Sequence, residues 1–332
     1  MHAPEFWWHD TPDWRALALK PLAAIYGAIA AQNIARKGQQ ASAPVICIGN
    51  FVVGGAGKTP TALALCTMLR AMGRNPAFLS RGYGGTLSGN MPLRVDPETH
   101  SAADVGDEPL LLARTAPTII CRNRVAGAQA AIEAGADIIV MDDGLQNPSL
   151  KKDLSFAIVD AATGIGNGLC LPAGPLRAPM TAQWRAIDAM LIVGEGKPGD
   201  TMAHRAYAAG RKTLRAKLLP EPEAAAKLRG KNVLAFAGIG RPEKFFATVE
   251  SCGANIVARR AFADHYAYAA SDYSALRAEA EKTGADLIVT TQKDAVRISA
   301  DALPDMLALP VTLVFDDPTA IARLVAAKIT RA

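Results

Sequence analysis

Residues 45–61 carry the pattern that most restricts this chain. An apolar run, Val45-Ile46-Cys47-Ile48, leads into Val52-Val53-Gly54-Gly55-Ala56-Gly57-Lys58-Thr59 and then into a helix-forming stretch from Thr61 to Arg70. Strand, glycine-rich turn, Lys-Thr and helix together make a phosphate-binding loop (P-loop). Glycines let successive backbone N–H groups converge on phosphate oxygens, and the helix N-terminus adds partial positive charge. Lys58 then reaches the β- and γ-phosphates, and Thr59 offers a hydroxyl to Mg²⁺. A plain strand-to-helix connection has no use for a lysine at a helix N-terminus, where the dipole disfavours a cation. One position departs from the usual pattern: Val52 stands where a glycine is expected.

From residue 45 onward, short β-rich runs alternate with helical ones. Strands are expected at 45–48, 76–80, 117–121, 137–141 and 155–159, with helices at 60–72, 108–115 and 124–134. This alternation predicts a parallel sheet with helices on both faces, binding ligands at the carboxyl ends of its strands. The run Ile138–Met141 ends in Asp142-Asp143-Gly144. A buried strand ending in carboxylates supplies the Mg²⁺-holding acid of a P-loop enzyme, although Asp-Asp-Gly is also a common turn. Ser80-Arg81-Gly82-Tyr83-Gly84-Gly85 follows a strand and should project over the same end of the sheet. Gly106-Asp107-Glu108-Pro109 places two acids at a helix start, where the dipole favours them in any case. Residues 160–180 form a long Gly/Pro-rich loop with Arg177 as its charged member, and loops of that length are usually functional or mobile.

Composition shifts near 197–230, where prolines, glycines and alternating charges read as a domain connection. A second α/β pattern follows, with strands at 233–237 and 285–290, and the run 311–315 is expected to return toward the first domain. Thr291-Gln292-Lys293-Asp294 is not the guanine-reading Asn/Thr-Lys-x-Asp, because its lysine directly precedes the aspartate. ATP is therefore the expected nucleotide. The 332 residues suffice for two domains: 41–215 carrying the loop, and a smaller α/β domain at 216–332.

Residues 1–40 differ from the rest. Three of the four tryptophans fall within the first fourteen residues, and Leu22, Ile25, Tyr26 and Ile29 share one helical face. Glu5, Asp10 and Asp13 argue against a signal peptide, and the apolar run from Pro21 to Ala31 is too short to span a bilayer. Two readings remain: an amphipathic helix lying in a membrane interface, or a helix packed on the core. The net charge of +5 favours an anionic partner, but no dense basic run with interleaved aromatics points to nucleic acid. The five scattered cysteines read as free thiols.

Together these segments resemble the tetraacyldisaccharide 4′-kinases (lipid A 4′-kinases) of Gram-negative bacteria. The resemblance rests on Pro4-Glu-Phe-Trp7, Gly49-Asn50-x-x-Val53-Gly-Gly-x-Gly-Lys-Thr-Pro60, Ser80-Arg-Gly-Tyr-Gly84 and Gly106-Asp-Glu-Pro109. It continues through Asp142-Asp-Gly-Leu-Gln146, Gly166-Asn-Gly168, Leu171-Pro-Ala-Gly-Pro-Leu-Arg177, Phe236-Ala-Gly-Ile-Gly-Arg-Pro242, Phe262-x-Asp-His265 and Thr291-Gln-Lys-Asp294. Val52 in the loop accords with this family; Ala56 and Gln292 depart from the residues usual there.

The resemblance implies a P-loop NTPase-like three-layer α/β domain, a smaller α/β domain and an N-terminal amphipathic helix. It implies transfer of the γ-phosphate of ATP to the 4′-hydroxyl of an anionic glycolipid, on the cytoplasmic face of the inner membrane, with peripheral attachment and no obligate protein partner. In that reading residues 52–59 hold the nucleotide with Lys58 catalytic, and Thr59, Asp142, Asp143 and Glu108 surround Mg²⁺. Asp107 paired with His265 is the base, and Arg81, Tyr83 and Arg124 contact the substrate. Two rivals stand beside it: a kinase or ligase of a soluble metabolite, and a nucleotide-switched binding protein. The switch proteins need a lysine where this chain has Val53.

Overall fold

A computed structural model describes residues 3–299 and 301–329. The first two residues of the expected 1–40 segment and the last three of the 216–332 domain lie outside them. In chain order the strands are β1 (Val45–Asn50), β2 (Pro76–Ser80), β3 (Leu93–Arg94), β4 (Thr118–Ile120), β5 (Ile138–Asp142), β6 (Leu154–Asp160), β7 (Ala189–Val193) and β8 (Lys212–Pro220). There follow β9 (Asn232–Ala237), β10 (Asn255–Ala261), β11 (Leu287–Thr291), β12 (Met306–Leu309) and β13 (Val311–Phe315).

Two sheets result. The larger has nine strands in the order β13-β8-β7-β6-β1-β5-β2-β4-β3, and the smaller has four, β10-β9-β11-β12. Strands β1, β2, β5, β6 and β7 are buried along their whole length, as continuous apolar runs covered on both faces must be. Each fully buried Phe, Leu or Ile in them contributes about 1.5–3 kcal/mol. The sheet is mixed rather than purely parallel: β3 runs antiparallel to β4, and β13 antiparallel to β8. These antiparallel pairs close its two edges. β1 lies between β5 and β6, so the connection leaving it opens at the point where strand order reverses, the usual ligand crevice of such sheets.

The expected connection at 197–230 is instead the helix Lys197–Ala208, β8 and the helix Pro222–Leu228. The boundary drawn at 215/216 therefore falls inside a strand. β8 lies near the sheet edge and most of its residues keep some exposure, so charges interleave with its apolar residues and imitate a linker. β13 returns to pair with β8, and the helix Pro318–Ile329 buries Ile321, Leu324, Val325 and Ile329 in the core of the large sheet.

The N-terminal helix, Trp14–Ile34, packs with its small side chains inward: Ala16, Ala23 and Gly27 are buried. A Cβ at Gly27 would stand 3.2 Å from Pro179. The large apolar residues face out, with Trp14 76% and Ile25 61% exposed and Leu17, Leu22, Tyr26 and Ile29 likewise exposed. Among the described residues no helix is long and apolar enough to cross a membrane.

Candidate functional site

The phosphate loop joins β1 to the helix Lys58–Ala71, which starts directly after Gly57. Gly57 has φ 88°, a left-handed turn that glycine adopts without the Cβ penalty. The loop is gripped from behind by the Gly/Pro-rich stretch. Val53 N–H donates to the Pro175 carbonyl (2.9 Å), and Arg177 N–H donates to the Phe51 carbonyl (2.9 Å). Val52 is buried and bridges antiparallel to Leu176. Position 52 thus holds an apolar anchor, which accounts for the missing glycine. Below the loop, Gln146 Nε2 donates to the Asn50 carbonyl (2.8 Å) and to Gln183 Oε1 (2.9 Å), and Asn50 Nδ2 donates to the Gly54 carbonyl (2.9 Å).

The two acids at the end of β5 have different surroundings. Asp142 is buried and its Oδ1 has no hydrogen-bond partner. Burial, with the negative charges of Asp143 and Glu108, pushes its carboxyl up to about 7 against the pull of Lys58 and Arg124. Asp143 accepts from Arg177 Nη1 (2.9 Å) and lies 3.7 Å from Lys58 Nζ. Burial works to raise its pKa, but these cations hold it below the ordinary carboxylate value. Arg124 is buried rather than presented at the surface. It donates to the Cys121 carbonyl, and its charge balances Asp142.

Opposite the loop, two segments of the smaller sheet domain meet the helix Asp107–Ala113. Gly106, at φ 92°, admits the close approach: a Cβ there would lie 2.4 Å from the Tyr83 carbonyl oxygen. That approach locks the Arg81–Tyr83 loop onto the start of the helix. Asp107 is buried, and its Oδ2 accepts from His265 Nδ1 at 2.8 Å. The same oxygen accepts from Arg297 Nε (2.8 Å). Burial pushes the Asp107 carboxyl up, but the hydrogen bonds and charge from His265 and Arg297 win and hold it below its usual value. Glu108 pairs with Lys293 (2.8 Å). Tyr83 is exposed and stands edge-on to the His265 ring, 6.0 Å between centroids, while Arg81 is exposed beside it.

Among the described non-glycine residues, positive φ occurs at Asp143 (50°) and His265 (58°). Backbone strain of about 1–3 kcal/mol tends to persist where surrounding structure enforces it for function. A third tie joins the two sheets: Arg241 and Lys244 each lie 3.0 Å from Asp160 Oδ2 at the end of β6.

The structure thus brings together Lys58, Asp142 and Asp143 on one side and Asp107, Glu108 and His265 on the other; Glu108 lies within electrostatic reach of Asp142. Of the four groups expected around Mg²⁺, Asp143 and Glu108 are engaged by cations, whereas Asp142 keeps a free oxygen. Sequence reasoning missed Arg297 and Lys293, although both sit in or just after the Thr-Gln-Lys-Asp segment it had singled out.

The family profile described as LpxK, tetraacyldisaccharide-1-P 4′-kinase, matches residues 15–330. A relative from Methylobacterium sp. (strain 4-46) named tetraacyldisaccharide 4′-kinase is 56% identical over 98% of this chain and 98% of its own. One of the same name from Methylobacterium nodulans is 57% identical, over 96% and 94%. Among solved structures, the fold is similar to that of LpxK from Aquifex aeolicus, described as an "apo" form in complex with ATP. The TM-score is 0.72 at 23% identity, covering 95% of this chain and 99% of that one.

Proposed function

This chain belongs to the tetraacyldisaccharide-1-phosphate 4′-kinase family, and from that premise we propose how its residues carry out the family's reaction. The γ-phosphate of ATP passes to the 4′-hydroxyl of the tetraacylated disaccharide 1-phosphate. The observation that carries the mechanism is the Asp107–His265 hydrogen bond, 2.8 Å long, formed across from the phosphate loop between residues 158 positions apart.

Phosphoryl transfer asks for positioning and charge stabilisation more than covalent chemistry. Lys58 and the loop amides of residues 52–59 bind the β- and γ-phosphates. In the described state Lys58 Nζ rests 3.3 Å from the Gly54 carbonyl and faces Asp143, so Asp143 keeps the ammonium aimed into the loop. Thr59 and Asp142 would hold Mg²⁺: Oδ1 of Asp142 is a buried carboxyl oxygen without a hydrogen-bond partner, able to ligate a cation once ionised. Bound there, Mg²⁺ would supply positive charge against the phosphates. Asp107 orients the imidazole, and His265 takes the proton of the acceptor hydroxyl. Because His265 and Arg297 together keep Asp107 ionised against burial, the carboxylate serves as the orienting group and the histidine as the acceptor. Arg81 and Tyr83, exposed at the rim, contact the sugar or its phosphate. Arg124 balances Asp142 from within.

In this proposal the helix Trp14–Ile34 lies in the membrane interface and the enzyme is peripheral, on the side where ATP is available; the exposure of Trp14, Leu22, Ile25 and Ile29 on one face supports that reading. The test is turnover of Asp107→Ala and His265→Ala with ATP and the disaccharide lipid. Both should lose transfer by about 10²–10⁴-fold with ATP affinity retained; normal turnover in either would sink the base assignment.

A further inference from the structure

Thr291-Gln292-Lys293-Asp294 has no part in the mechanism so far. It begins the short helix Gln292–Ala295, and the structure pins it firmly. Asp294 is fully buried and accepts from Gly238 N–H (3.0 Å), the Tyr268 hydroxyl (2.8 Å) and Arg297 (3.0 Å). The Thr291 hydroxyl closes the turn by donating to its other oxygen, at 2.6 Å. A turn held at this many points fixes the direction of Lys293. Its Nζ lies 2.8 Å from Glu108 Oε1, 3.2 Å from His265 Nε2 and 3.6 Å from Asp264 Oδ1.

The two partners of the imidazole settle its proton. An ionised carboxylate only accepts hydrogen bonds, and an ammonium only donates them. Asp107 on Nδ1 and Lys293 on Nε2 are both satisfied with hydrogen on Nδ1 and a lone pair on Nε2, and the Asp264 carboxylate stands farther from Nε2, at 3.9 Å. Both partners keep the charges this needs. Asp107 is held ionised by His265 and Arg297 against burial. Burial disfavours the charge on Lys293, but Glu108 and Asp264 outweigh it and raise its pKa.

We propose that Lys293 is a positioning residue for phosphoryl transfer: it donates to Nε2, joins Asp107 in holding His265 in the Nδ1–H tautomer, and yields Nε2 to the acceptor hydroxyl when substrate binds. The inference rests on His265 being the base. In the step itself, the hydroxyl O–H bond breaks and its proton passes to Nε2. The oxygen forms the new bond to the γ-phosphorus while the bond to the β–γ bridging oxygen breaks, and ADP departs. Once Nε2 carries a proton it no longer accepts from Lys293, and the ammonium stays with Glu108 and Asp264.

The test uses full-length protein labelled with ring-¹⁵N histidine. The chain has five histidines, and the His265 resonances are identified by their loss in His265→Gln. Without substrate, the parent should show a neutral Nδ1–H ring at His265. Lys293→Met should move the Nε2 signal, which then lacks its donor, while Asp107 keeps hydrogen on Nδ1. It should also lower kcat by about 10–100-fold, part of the range a positioned base supplies, with KM for ATP within about twofold. Lys293→Arg should restore part of both. A Lys293→Met protein with the parent's His265 spectrum overturns the proposal, whatever its kcat. So does a variant whose loss appears equally in KM for ATP and in melting temperature, with no rescue by arginine. The resonance arm needs no acceptor lipid, so a parent that fails to phosphorylate the lipid counts against the kinase reading separately from the tautomer.

Discussion

Asp142→Asn should stabilise the ligand-free fold while abolishing its activity. The carboxyl sits buried at the end of β5 and is pushed from 3.8 to about 7, first by burial and then by Asp143. A displacement of about three units corresponds to about 4 kcal/mol. The sign follows from linkage: the folded pKa lies above the unfolded one, so the folded chain holds the proton more tightly. The penalty is absent below pH about 4, grows between about 4 and about 7, and is complete above it. An asparagine side chain keeps the shape without the charge. At pH 8, in EDTA, the variant should exceed the parent by about 2–4 kcal/mol, since local relaxation absorbs part of the penalty. That is roughly 3–6 °C in Tm for a chain of this size. At pH 4 the two should coincide. Mg²⁺ with ATP should stabilise the parent increasingly as pH rises from 6 to 8, because binding a cation there requires the ionised carboxylate, and should stabilise the variant little. Calorimetry across pH 4–8 with and without Mg²⁺–ATP reads all of this. A variant no more stable than the parent at pH 8, or a difference that does not change with pH, would refute the reasoning.

Arg297→Met leaves the buried Asp107 carboxylate with His265 as its remaining close partner, and should cost about 3–5 kcal/mol in a denaturant titration; unchanged stability contradicts the pairing. Asp107 itself has a folded pKa held below 3.8, so its contribution to stability is present above that pH and is lost as pH falls below it. Val52→Gly brings the loop closer to the usual motif yet removes a buried anchor. It should lose about 2–3 kcal/mol and raise KM for ATP several-fold; tighter ATP binding would show that Val52 is not an anchor. Charging the outward helix face with Leu22→Glu, Ile25→Glu and Ile29→Glu should abolish co-sedimentation with anionic vesicles and leave ATP affinity unchanged. Persistent sedimentation would remove the membrane role of that face.

What the sequence made legible depended on locality. β1, the glycine turn and Lys58 lie within a few residues of one another, so periodicity and motif mark the strand, turn and helix directly. Asp142 could be read because a buried strand announces itself as an unbroken apolar run. The Asp107–His265 pair joins residues far apart in the chain, and only the family resemblance suggested it. Arg297 and Lys293 were illegible for the same reason: their partners lie on the helix Asp107–Ala113 and in the loop at His265, and no spacing encodes that meeting. β8 was misread because a half-exposed strand near a sheet edge mixes charge with apolar residues as a linker does. In the N-terminal helix the apolar face was visible in the sequence, but its direction was not. Ala16, Ala23 and Gly27 determine which side packs, and small residues give little hydrophobic signal.

The most direct measurement incubates the purified chain with γ-labelled ATP and tetraacyldisaccharide 1-phosphate, then locates the label on the product. The reading of this site predicts label on the 4′-oxygen of the lipid, dependent on Lys58 and His265. Label found only in free phosphate, or on the lipid at any other oxygen, would contradict it.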